Sequence, residues 1–69
     1  MNISARNQLK GKIKEVKRGS VMAEVVVTLP DGQEIVSAIT LGSVDALKLQ
    51  VGEAVTAIIK STEVMIGKE

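Results

Sequence analysis

Apolar residues in this chain gather in short β-branched runs separated by breaks that carry glycine or proline, a pattern that predicts strands. From Leu9 to Val16 the alternation is irregular, with Lys10, Lys12 and Lys14 on one face, and Gly11 marks a bulge or a close backbone approach. Arg18-Gly19-Ser20 reads as a hairpin turn into a second strand, Val21 to Leu29. Pro30-Asp31-Gly32 is a clearer turn, because proline presets φ and glycine accepts positive φ. A third strand, Glu34 to Thr40, follows. Gly42-Ser43 then precedes Val44-Asp45-Ala46-Leu47, which predicts a short helix with Ser43 as its N-cap. Val51-Gly52-Glu53 turns into a fourth strand, Ala54 to Lys60. Glu63-Val64-Met65-Ile66 reads as a short fifth strand before a loose terminus.

Three strands, a short helix and two further strands is the order of an all-β, five-stranded Greek-key OB-type barrel with its helix between the third and fourth strands. An SH3-like barrel is the competing small all-β arrangement, but it does not usually place a helix there. Some strands are apolar on both faces. Val25-Val26-Val27 has no polar alternate, and Val55, Ala57 and Ile59 oppose Ala54, Thr56 and Ile58. An isolated barrel is expected to leave one such face wet, and each exposed Val or Ile forgoes roughly 1.5–3 kcal/mol of burial. A subunit interface is the expected use of the second face.

Size points the same way. The 69 residues make a single domain, 1–69, near the lower limit for independent stability, and its supplements are few. There is no cysteine for disulfides or thiolate metal sites, no histidine and no aromatic residue. A homo-oligomer is therefore expected. The same absences remove the commonest agents of neutral acid–base chemistry and of soft-metal binding. The net charge of +1 gives no strong field toward nucleic acid or anionic membrane. No apolar run approaches the roughly 20 residues that span a bilayer, and nothing resembles a signal peptide, so a cytoplasmic protein is expected. No nucleophile–base pair is visible, and the carboxylates fall in turns and polar strand positions without evident partners. The expectation is a binding protein rather than an enzyme.

Two donor-rich clusters interrupt the apolar pattern: Ser4-Ala5-Arg6-Asn7-Gln8 and Lys60-Ser61-Thr62. With Ser43, they offer a guanidinium, an ammonium, hydroxyls and backbone N–H groups beside a helix start. Arg and Lys only donate, so the set suits a ligand that only accepts, such as a fully deprotonated oxyanion. Two cations about 4 Å from a dianion could gain several kcal/mol at an effective dielectric near 20, before desolvation. Other readings remain open at this point. The cations could be solvated surface residues, Ser43 could simply cap a helix, and Ser61-Thr62 could close a turn. A nucleic-acid-binding OB module would use Lys10, Lys12, Lys14, Lys17 and Arg18. It lacks aromatic platforms, which contribute roughly 1–3 kcal/mol per stacked base. A purely structural assembly domain would use the donors to stitch subunits together.

Ser4-Ala5-Arg6-Asn7-Gln8-Leu9-Lys10-Gly11 resembles the opening of the molbindins, single-domain Mop-type molybdate-binding proteins. The likeness runs on through Val25-Val26, Ile39-Thr40-Leu41-Gly42-Ser43-Val44 and Lys60-Ser61-Thr62-Glu63-Val64-Met65-Ile66, and so covers essentially the whole chain. The Lys-rich first strand and Gly42 before Ser43 are less typical. The resemblance implies an OB-type fold and cytoplasmic storage or homeostasis of molybdate, with tungstate as a substitute and no organic cofactor. It also implies a hexamer, a trimer of dimers, holding anions between subunits. By position, Ser4, Arg6, Lys60 and Ser61 would form one subunit's half of a site, with Ala5 and Asn7 contributing mainly through backbone. Thr40, Ser43 and the Val44 N–H would come from the neighbour. Neither nucleic acid nor membrane is implied as a partner. Chemistry separates the candidate anions in part: phosphate near pH 7 keeps a proton on much of its population, and a donor-only site leaves that proton unpaired, at about 1–3 kcal/mol. Sulfate is fully deprotonated, so pocket size alone distinguishes it from molybdate.

Overall fold

The spine of the fold is β1 (Asn7–Arg18), in a computed structural model that describes residues 1–69. Its first half pairs antiparallel with β4 (Ala54–Ile59), from Asn7 opposite Ile59 to Lys12 opposite Ala54. Its second half pairs antiparallel with β2 (Met22–Thr28), from Lys12 opposite Thr28 to Arg18 opposite Ala23. β3 (Glu34–Thr40) lies outside β2, and the sheet order is β3-β2-β1-β4. The helix α1 (Leu41–Leu47) follows β3 directly. The architecture is thus all-β with one short helix between the third and fourth strands. The sheet is curled and open, with β3 and β4 as unpaired edges.

The expected fifth strand is not formed, which leaves four strands rather than five. Ser61–Glu63 make one turn of 3-10 helix, with the Glu63 N–H on the Lys60 carbonyl at 2.9 Å and the Val64 N–H on the Ser61 carbonyl at 3.4 Å, and residues 64–69 join no strand. A run of three apolar residues carries strand propensity but no edge to bind unless the chain turns back, and the 3-10 turn directs it outward.

The irregular alternation in β1 has a definite cause. Its register against β2 slips between Ile13 and Glu15, leaving Lys14 as an extra residue. A bulge of this kind shifts the inward phase: Gly11 and Ile13 are enclosed before it, Val16 after it. Gly11 is a point of close approach and not the bulge itself, since a Cβ there would lie 2.5 Å from the Thr28 carbonyl oxygen and 2.8 Å from Val27 Cγ1. At the bulge, the Gly52 N–H donates to the Ile13 carbonyl and the Ile13 N–H to the Glu53 carbonyl, at 2.8 and 3.0 Å, so the turn into β4 is tied to β1.

Ile13, Ala23, Val25, Val27 and Val44 form the core, with Ile13 2% and Val44 1% exposed. Val26, on the opposite face of β2, is also buried. The Val25–Val27 run is therefore covered within one chain, but the second face around it is wet, with exposed Met22 on β2 and Val36 directly opposite Val26, and Ile58 on β4 is exposed as well. Val21 and Val64 to Ile66 are further exposed apolar residues.

Candidate functional site

Register fixes where the donor clusters sit. Asn7 opposes Ile59, so Arg6 and Lys60 stand one step beyond the last bonded pair of β1 and β4, at the same end of the sheet. Like charges brought close on neighbouring strands repel. Neither cation has a carboxylate partner, whereas Lys14, Lys17 and Arg18 all do. Ser4 and Ser61 flank the pair on the same two segments and are exposed, as are Arg6 and Lys60. Ala5 and Asn7 are half-buried, and the Ala5 carbonyl accepts a 2.7 Å hydrogen bond from Gln8 Nε2, which ties the lead-in segment to the start of β1. Of the residues quoted from this stretch, Gln8 is the one whose side chain acts on the backbone rather than offering itself to a ligand.

The second donor set forms at the other end of the sheet. Met22 opposes Thr40, and Ala23 is cross-strand to both Ile39 and Arg18, which places Thr40 and α1 beside the last residue of β1. The Arg18 guanidinium confirms the placement by bonding Asp45 Oδ1 of α1 at 2.9 Å. Thr40, not Ser43, is the N-cap: its Oγ1 accepts from the Ser43 N–H at 3.1 Å and lies 2.9 Å from Ser43 Oγ. The signal was present in the sequence as Thr40-Leu41-Gly42-Ser43, a hydroxyl residue three before a polar one. Two hydroxyls sharing one hydrogen bond retain one free proton to donate. Among backbone groups, the Leu41 N–H is taken by the Val21 carbonyl and the Ser43 N–H by Thr40. In a helix that begins at Leu41, the Val44 N–H closes the first bond, onto the Thr40 carbonyl. The N–H left over is that of Gly42, which the sequence reading did not name. Val44 itself is a core residue.

The two halves do not meet in one chain. They lie at opposite ends of β1, a strand of 12 residues that rises about 3.3 Å at each. The residues anticipated as one subunit's half (Ser4, Ala5, Arg6, Asn7, Lys60, Ser61) are brought together; Thr40, Ser43 and Val44 form a separate group. Thr40 shares the outer face of β3 with exposed Val36, beside Met22 across the ladder, so the second group borders an apolar patch.

Carboxylates expected to be without partners are in fact paired. Glu34 binds Lys14, Glu15 and Glu24 flank Lys17, and Asp45 binds Arg18. The hydrogen bond and the charge of Glu34 hold the Lys14 ammonium above its ordinary pKa of 10.5. This neutralises much of the basic face that the nucleic-acid reading would use. No group of three or more His, Cys, Asp or Glu side chains is arranged to hold a metal ion, and no helix is long and apolar enough to cross a membrane.

Comparison with known proteins fits this geometry. The chain is 53% identical over 66 residues to molybdenum-pterin-binding protein 3 of Clostridium pasteurianum, covering 96% of this chain and 97% of that one. Its structure superposes on MopII of Clostridium pasteurianum with a TM-score of 0.92 at 51% identity, covering 97% of this chain and all of the other. It also superposes on the cytoplasmic molybdate-binding protein ModG, solved with molybdate bound, with a TM-score of 0.85 at 41% identity, over 88% of this chain and 43% of that longer one. The profile of the TOBE domain matches residues 3–66, and the chain belongs to that family, together with the small molybdenum-pterin-binding proteins.

Proposed function

We propose that this protein is a single domain, 1–69, that binds molybdate, with tungstate as a substitute, at sites completed between copies of itself. Arg6 and Lys60 carry the reading: they are cations at one end of the sheet without carboxylate partners, set between Ser4 and Ser61. An anion between them relieves their repulsion and accepts from every donor present. The Ala5 and Asn7 backbone frames this half. Thr40 and Ser43, with the free Gly42 N–H at the start of α1 in place of the Val44 N–H that the helix takes up, supply the other half from a neighbouring chain. The separation of the halves along β1 is what makes a second copy necessary.

Molybdate is the ligand printed for ModG and molybdenum figures in the relatives' names, which supports that anion; the description of ModG as cytoplasmic supports the same setting here. With no aromatic ring to stack on a pterin, the chain is suited to the free oxyanion. The role is storage or homeostasis by binding rather than catalysis, in a homo-oligomer for which a hexamer, a trimer of dimers, is the proposed form. Native mass spectrometry with parallel titrations of molybdate, tungstate, sulfate and phosphate tests this. Uptake of the first two at fixed stoichiometry by a multi-subunit species is the expected result. A multi-subunit species that takes up none of the four would leave an assembly domain, and equal uptake of sulfate would remove the selectivity.

A further inference from the structure

An exposed ion pair joins the last residue of β1 to α1. Arg18 Nη2 donates to Asp45 Oδ1 at 2.9 Å, and both side chains are more than half exposed. Pairs of this kind add little to stability, so the effect of this one is to be sought in the charge it places beside the Thr40–Ser43 hydroxyls. Asp45 is the one charged residue of α1. It stands three residues after Gly42, on the same helix face, and helical side chains lean toward the helix start. Gly42 puts no side chain in between, although there is room for one: a Cβ there would meet only Thr40 Oγ1, at 3.8 Å. Asp45 therefore sets a negative charge within about one helix diameter, on the order of 10 Å, of the hydroxyl pair. That is the wrong sign beside a site for a dianion. Arg6 and Lys60 lie at the far end of β1, Lys48 lies past the end of the helix, and Glu34, Glu15 and Glu24 hold Lys14 and Lys17. Arg18 is the cation left to balance Asp45.

We propose that Arg18 is an affinity-determining residue of the anion site: without touching the anion, it cancels the field of Asp45 and keeps the Thr40–Ser43 half attractive to a dianion. The inference rests on the oxyanion reading above and adds to it a residue that neither donor cluster contains. The pair acts through charge rather than as a strap, because α1 is already fixed without it. The Leu41 N–H is bound to the Val21 carbonyl at 2.9 Å, Thr40 caps the helix, and Val44 is anchored in the core.

Calorimetric titration of the full-length protein with molybdate, at low and high sodium chloride, tests it through a double-variant cycle. Arg18→Gln uncovers the Asp45 charge and should weaken binding roughly three- to tenfold at low salt, the scale of one charge acting on a dianion through about 10 Å of mostly water. The loss should shrink at high salt, where screening shortens the reach of the charge. Asp45→Asn should bind at least as tightly as the unaltered protein. Added to Arg18→Gln, it should restore most of the lost affinity. A strap would behave differently: both single variants would bind more weakly, the double variant would bind no better, and the loss would be indifferent to salt. That pattern, or a markedly lowered Tm of Arg18→Gln without molybdate, would assign the pair to structure and overturn the proposal. Unaltered affinity in Arg18→Gln would also overturn it and leave the oxyanion reading standing. A wild-type protein that takes up no molybdate would overturn both.

Discussion

Arg6 and Lys60 stand together at the open end of a strand pair, with nothing of opposite charge to hold them. Because both are exposed, neither contributes to the core. Arg6→Ala and Lys60→Ala should therefore each weaken molybdate binding severalfold or more in calorimetric titration while shifting Tm little. Unfolding of either variant would assign these residues to structure. Gly11 makes the contrasting case. It has no ligand role, and its missing Cβ is what lets β1 pass the Thr28 carbonyl. Gly11→Ala should destabilise by about 1–3 kcal/mol, as overpacked sites do, with anion affinity nearly unchanged in the fraction that folds. Denaturant unfolding checks the first part and titration the second.

At the level of elements, the β2–β3 hairpin is organised by Asp31. Its carboxylate accepts from the Gln33 side chain and from the Gln33 N–H, the latter at 3.1 Å, while Gly32 supplies φ 92°. These bonds, the side-chain one foremost, hold the Asp31 carboxyl below its ordinary value of 3.8. A depressed folded-state pKa contributes stability that is fully present above the ordinary value and is lost as pH falls through the depressed one. Asp31→Asn should therefore lower stability modestly at neutral pH, leave it little changed at pH below the depressed pKa, and so flatten the acid side of the stability profile below about pH 4. A carboxyl NMR titration with its midpoint at or above 3.8 would contradict this. The helix α1 shows the same reliance on local chemistry. It is capped by Thr40 and stopped at Lys48, which takes the left-handed conformation at φ 53°. With only seven residues its dipole is small, so the hydroxyl pair and not the helix end would be the main contribution of this segment to the proposed anion site.

For the whole molecule, the consequence of split half-sites is linkage. An anion that binds only where two copies meet stabilises the assembled state, by about 2.7 kcal/mol when its concentration is 100 times its Kd. Molybdate should thus raise Tm by more than sulfate does at equal ionic strength, and the rise should depend on protein concentration. A scanning calorimetry series over both variables checks this; equal shifts for the two anions would show only a general salt effect.

Much was legible in the sequence because it depends on neighbours along the chain. The strand order, the turns at Pro30-Asp31-Gly32 and Val51-Gly52-Glu53, and the place of the short helix all follow from β-branched runs and from residues that tolerate special backbone angles. The donor character of Ser4–Gln8 and Lys60–Ser61 is a property of residue type, and the family likeness could be read from the same stretches. What the sequence misplaced depends on distant partners. Whether Val64–Ile66 becomes a strand is decided by reaching an edge, and after the 3-10 turn it pairs with neither open edge of its own sheet. The bulge at Lys14, the pairing of Arg18 with Asp45 and the burial of Val26 arise from register between strands, which residue type alone does not specify. Only the tertiary structure could decide that Arg6 and Lys60 come to one end of the sheet while Thr40 lies at the far end of β1, because antiparallel pairing, and not distance along the chain, determines which donors become neighbours.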